Sequence, residues 1–144
     1  MKAVTIREAQ LKDFEAIAVL CNQLGYKTES DDISLRLQQI ENINHHVVFL
    51  AELDQQVIGW IHVYLCPLLI SPLQGQLGGL VVHSDHHGKG IGKKLMQQAE
   101  TWCRSQACLY LTIYTNITRT QTHEFYAQMG YKKMKTEHVF RKEL

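Results

Sequence analysis

Glycine at the alternate positions 88, 90 and 92, just after the apolar run Gly79–Val82 and just before a helical pattern, constrains this chain more than any other feature. The stretch HSDHHGKGIGKKL, from His83 to Leu95, reads as a strand that enters a glycine-rich turn and leaves it as a helix. The first N–H groups of a helix have no internal partners and the macrodipole adds positive potential there. Glycine lets an anion reach those groups without meeting a Cβ. Lys89, Lys93 and Lys94 add cationic charge. Two familiar phosphate loops do not fit. A Walker loop requires Gly at 87 and Ser or Thr at 94, where this chain has His87 and Lys94. A dinucleotide fingerprint beginning at Gly88 requires Gly at 93, where Lys93 stands.

Around this unit the periodicity predicts a mixed α/β fold in a single domain, residues 1–144, in the order β-α-α-β-β-β-α-β-α-β with room for a further strand. Residues 3–8 read as a strand. Phe14, Ile17, Ala18, Cys21 and Leu24 mark a helix ended by Gly25, and 30–43 a second, capped by Ser30 or Asp31. Two β-rich runs, 46–53 and 56–65, flank a turn at Asp54 and Gln55. In the second run Trp60, His62 and Tyr64 share one face. Residues 66–75 hold both prolines and read as an apolar loop, and 76–82 resume the sheet with the pair Gly78–Gly79, the mark of a bulge or a close approach. A third helix spans about 90–106, a strand 108–115, a fourth helix about 120–129, and one or two strands fill 130–144.

The formal charge of +1 gives no electrostatic case for nucleic acid or a membrane surface, and no apolar run is long enough to span a bilayer. The four cysteines form no C-x-x-C pair, and the first ten residues hold no apolar leader core. Together these point to buried free thiols in a reducing cytoplasm. His83, Asp85, His86 and His87 are all metal-ligand types, but they crowd one short turn with no distant partner motif, so no metal is expected.

The segment GLVVHSDHHGKGIGKKLMQQAE resembles the acetyl-CoA-binding segment of the GNAT N-acetyltransferases, whose signature [Q/R]-x-x-G-x-[G/A] falls on His87 through Gly92 with His in the first place. The likeness extends to TIREAQLKDFEAIAVLCNQLGY, to QVIGWIHVYL and to YTNITRTQTHEFYAQMGYKK. It implies the acyl-CoA N-acyltransferase fold: a mostly antiparallel sheet splayed between two parallel strands and flanked by about four helices. It also implies acetyl-CoA as co-substrate. Main-chain groups of Leu80, Val81 and Val82 would meet the pantetheine arm, and His87, Gly88, Lys89, Gly90, Ile91, Gly92 and Lys93 would surround the pyrophosphate.

The same resemblance makes Tyr126 the candidate general acid that protonates the departing thiolate. Packing of its ring on an amphipathic helix is the competing reading. Asn116 would bind a pantetheine amide or simply form a turn. His123, three residues before Tyr126, would orient it, contact cofactor or be structural. Relatives often carry a Glu in the strand before the loop, in stretches such as IEDLVV. Here that place reads LGGLVV, which leaves the general base open, with His62, Tyr64 or Glu52 acting through water as candidates. The function implied is acetyl transfer to a primary amine, leaning toward a small molecule, by direct attack without a cysteine nucleophile. A non-catalytic acyl-CoA sensor is the alternative. The apolar loop 66–73 would cover the acceptor or join a homodimer contact.

Overall fold

The computed structural model describes residues 3–144; the first two residues of the expected 1–144 domain lie outside it. The chain divides into two compact units, one ending at Ile113 and the other running Tyr114–Leu144. The first contains β1 (Thr5–Glu8), α1 (Phe14–Gln23), α2 (Ser30–Glu41), β2 (His46–Leu53), β3 (Gln56–Cys66), β4 (Gln74–Val82), α3 (Ile91–Ser105) and β5 (Tyr110–Thr112). The second contains α4 (Thr120–Gln128).

The strands form one mixed sheet in the order β1-β2-β3-β4-β5, antiparallel throughout except for the last pair. Asp54 and Gln55, both at positive φ, close the β2–β3 hairpin as a primed turn whose twist suits the strands it joins. On one face Val48, Leu50 and Trp60 pack with Ile17, Ala18 and Cys21 of α1 and Ile33 and Leu37 of α2. Alternation sends Val47, Phe49, Ile61 and Val63 to the other face, where α3 contributes buried Ile91, Leu95, Met96 and Ala99. Gly59 marks where the layers close in. A Cβ there would lie 2.9 Å from the carbonyl oxygen of Val81 and 3.2 Å from Leu95 Cδ1.

Three sequence expectations shift. First, α2 is capped by neither Ser30 nor Asp31. Ser30 is already helical, and extended Glu29 supplies the first carbonyl, accepting from the N–H groups of Asp32 and Ile33. Second, β4 begins at Gln74 rather than 76, because Gln74–Gln76 are held between β3 and β5. That pairing also limits β5 to three residues instead of the expected 108–115. Third, the strands expected within 130–144 are absent. Among the described residues none of 132–144 exchanges a main-chain hydrogen bond, and Met134, Val139 and Phe140 are exposed. A β-like pattern becomes a strand only where a neighbour supplies the ladder.

Replacing Gly59 by alanine would push β3 away from β4 and α3. The variant is expected to lose about 1–3 kcal/mol of stability, measured by denaturant unfolding of both proteins under one condition.

Candidate functional site

After β4 the chain makes a short 3-10 turn, Ser84–His86, and then passes through Gly88 and Gly90, both in the left-handed region at φ 77° and 78°. Those values explain glycine at these two places, since side chains rarely adopt them. Gly90 caps α3, and its carbonyl accepts from Lys94 N–H at 3.1 Å. Among the described residues no partner takes up the N–H groups of Gly88 through Lys93. They form an open row at the mouth of a 15-residue helix whose first turn holds no acidic residue. His87 Nε2 donates to the carbonyl of Val82 at 2.7 Å, which folds the turn back onto the strand. His83 accepts from Asp85 N–H, so its ring belongs to the turn. Among the described residues no cluster of three metal-ligating side chains occurs.

The strand before this loop has one side unpaired. β5 pairs with β4 only at Gln74–Gln76, so Leu77 through Val82 have main-chain groups on that side without a strand neighbour. On the other side the β3–β4 register shifts between His62 and Val63: His62 faces Gly79, Val63 faces Leu77, and Gly78 is the extra, bulged residue. The expectation drawn from the glycine pair is therefore met. Two rings of β3 cover the pair. A Cβ on Gly79 would meet Trp60 Cη2 at 2.7 Å, and one on Gly78 would meet His62 Nδ1 at 2.5 Å.

His62 belongs to a ring cluster. Its Nε2 shares a hydrogen bond of 2.9 Å with His46 Nδ1, and the rings of His46, His62 and Tyr64 form a triangle, with centroids 5.1 Å apart for His46–His62, 4.9 Å for His46–Tyr64 and 5.6 Å for His62–Tyr64. Burial, with a smaller contribution from His46, lowers the His62 pKa to about 4, and burial also lowers that of His46. Both imidazoles are neutral near pH 7. Glu52, named with His62 as a candidate base, is elsewhere. It lies at the hairpin end of β2 opposite Val57, gripped by Arg7, which also binds Asp13 through two nitrogens. The Arg7 guanidinium holds the Asp13 carboxyl below its usual range.

In the second unit Tyr126 is buried on α4, edge-on to Phe125 and Tyr131. Burial raises its phenol pKa, so it holds its proton at neutral pH. Asn116 acts as a turn former. Its Oδ1 accepts from the N–H and the hydroxyl of Thr118 at 3.0 and 2.8 Å. His123 Nε2 donates to the Asn116 carbonyl at 2.9 Å, which ties α4 to that turn. The four cysteines are free, and burial pushes the Cys103 thiol up to about 12 and raises Cys21 and Cys108. A protonated thiol is a poor nucleophile.

Residues 6–131 match the family model described as the Acetyltransferase (GNAT) family. The chain is 28% identical over 139 residues to the aminoalkylphosphonate N-acetyltransferase of Salmonella typhimurium, covering 92% of this chain and 88% of the relative. It is 27% identical over 135 residues to an uncharacterized N-acetyltransferase of Chlorobaculum tepidum, covering 92% and 78%. Among solved structures, the aminoglycoside N-acetyltransferase AAC(6')-Iy in complex with CoA aligns with a TM-score of 0.90 over 100% of this chain and 97% of that one, at 19% identity.

The depressed pKa of His62 has a consequence for stability. Between the ordinary value near 6.5 and about 4 the unfolded chain binds a proton that the folded ring refuses, so stability falls as pH falls through that window. His62→Gln is expected to flatten the loss by on the order of 2 kcal/mol, measured by urea unfolding of both proteins at pH 7 and pH 4.5.

Proposed function

We propose, from the premise that the chain belongs to the Acetyltransferase (GNAT) family, that its acceptor is a small-molecule primary amine and that the loop before α3 holds its co-substrate. The protein is an acetyl-CoA-dependent N-acetyltransferase. The observation that carries the site reading is the open row of N–H groups at Gly88–Lys93, adjoining a strand unpaired on one side beyond Gln76. A diphosphate needs several convergent donors and no Cβ in its way, and the loop supplies both. In this reading Gly88, Lys89, Gly90, Ile91, Gly92 and Lys93 receive the pyrophosphate, and His87 steadies the turn through Val82. Leu80, Val81 and Val82 offer main-chain groups to the pantetheine arm.

The reaction is direct attack of the amine nitrogen on the thioester carbonyl. Main-chain N–H groups freed by the bulge at Gly78 meet the developing oxyanion. Tyr126 protonates the departing thiolate, a role supported by its burial and by a phenol that keeps its proton. Asn116 and His123 serve this reading by setting the start of α4, and direct contact with the pantetheine rests on the remaining Asn116 amide. The small-molecule acceptor is supported by the aminoalkylphosphonate acetyltransferase that the chain resembles. The loop between β3 and β4, where Leu69 and Ile70 are fully exposed, covers the acceptor or joins the contact of a homodimer. No helix among the described residues is long and apolar enough to cross a membrane, and four free thiols support a cytoplasmic setting.

Titration calorimetry with CoA checks the loop. Gly92→Glu places a carboxylate among the donors and is expected to weaken CoA at least about tenfold. Absence of CoA binding to the unaltered protein would overturn the site. Thiol release from acetyl-CoA over a panel of amines checks the acceptor class, and Tyr126→Phe is expected to lower kcat roughly 10²-fold with little change in CoA affinity.

A further inference from the structure

We propose that His62, steered by His46, is the catalytic base that takes the proton from the attacking nitrogen, occupying the place where a side chain of β4 would otherwise stand. The proposal rests on the acetyl-transfer reading above and adds the residue that reading lacks. Three observations carry it, all within the first unit. The imidazole lies against the bulge itself, with Nδ1 2.5 Å from where a Gly78 Cβ would be. Glycine at 78 is therefore what admits the ring, and any side chain there would evict it. Gly78 is exposed, so the space beside that nitrogen is open, although His62 is half-buried. Finally, the other nitrogen is already engaged: Nε2 and His46 Nδ1 share a hydrogen bond of 2.9 Å.

That hydrogen bond can run in either direction, and we take the one in which His46 Nδ1 is the acceptor. With His46 Nδ1 as acceptor, His62 carries its proton on Nε2 and keeps the Nδ1 lone pair toward the bulge. Tyr64, stacked on His46, holds the orienting ring in place. Glu52 is bound to Arg7 at the far end of the hairpin, so it does not compete for the role. The step balances simply. The amine lone pair forms the new C–N bond at the thioester carbonyl, and the carbonyl electrons move to oxygen. The nitrogen, now far more acidic than a free ammonium, passes its proton to His62 Nδ1. The resulting imidazolium keeps its Nε2–H on His46. Collapse of the intermediate breaks the C–S bond, and the thiolate leaves with a proton from the general acid. His62 returns its proton to water. The imidazole is uncharged at neutral pH and therefore free to take that proton. His46 touches no reacting atom in this scheme and acts as a positioning residue.

Two experiments test it. The first uses bromoacetyl-CoA, whose CH2–Br carbon stands where the acetyl methyl would. Nδ1 forms a C–N bond as bromide leaves, and peptide mass mapping is expected to find the adduct on His62 and to lose it in His62→Gln. An adduct only on cysteines or on other histidines overturns the proposal. The second compares acceptors. His62→Gln keeps a donor toward His46 but has no base, and is expected to lower kcat about 10²-fold for an alkylamine yet only roughly threefold for an aryl hydrazine, with CoA affinity unchanged. Equal losses on both acceptors, or no loss, overturn it. His46→Phe is expected to lower kcat and leave the KM for acetyl-CoA in place; a change confined to thermal stability would remove His46 from the scheme. If His62→Gln does not fold, the alkylation of the unaltered protein still decides. Should the unaltered protein bind no CoA or acetylate no amine, the broader reading fails first. A protein that acetylates normally but is never alkylated at His62 fails the proposal alone.

Discussion

A β-strand that loses its neighbour partway along has main-chain donors and acceptors that must be satisfied some other way. In this protein β4 is such a strand. Its parallel partner β5 stays alongside only as far as Gln76, and its antiparallel partner β3 slips by one residue at Gly78. The strand thus offers an unpaired side and a local kink within a few residues of each other. The open side of the sheet before the loop is a product of that defect. It persists because both of its flanks are anchored: β3 is fixed to β2 by a tight hairpin, and α3 is fixed to the sheet by Leu95 and Met96, which are wholly buried.

The same anchoring explains how a turn of exposed residues can keep a defined shape. Gly88, Lys89, Gly90, Lys93 and Lys94 are exposed, Gly92 is half-buried, and only Ile91 in this stretch is buried. Their geometry is inherited from two buried residues, Val81 before the turn and Ile91 where the helix begins, and from the hydrogen bond that His87 makes back to Val82. Gly88 and Gly90, both in the left-handed region, then turn the chain into the helix.

Much of this was legible in the chain itself, and the reasons for the gaps are specific. The glycine spacing marked the turn and the helix start, because positive φ and a free helix mouth leave few other residues eligible. The Gly78–Gly79 pair marked the bulge for another reason, the close approach of the His62 and Trp60 rings that a Cβ would block. His46 was not legible. Counting back from the two-residue turn at Asp54–Gln55 sets it opposite Val63, on the α3 side. A second irregularity, between Ala51 and Glu52, moves the pairing by one residue, so that His46 faces Tyr64 and joins His62. One inserted residue reverses every side chain beyond it, and nothing local in the sequence announces it. The C-terminal strands failed for a different reason. Residues 130–144 read as strands only because they are what the other elements leave over, and a segment without an adjoining strand has no ladder to complete.

Gly78 and His62 claim one volume, so the two positions are not free to drift separately in evolution. A side chain at 78 and the imidazole of 62 in its present pose exclude one another, so a change at either place moves the other.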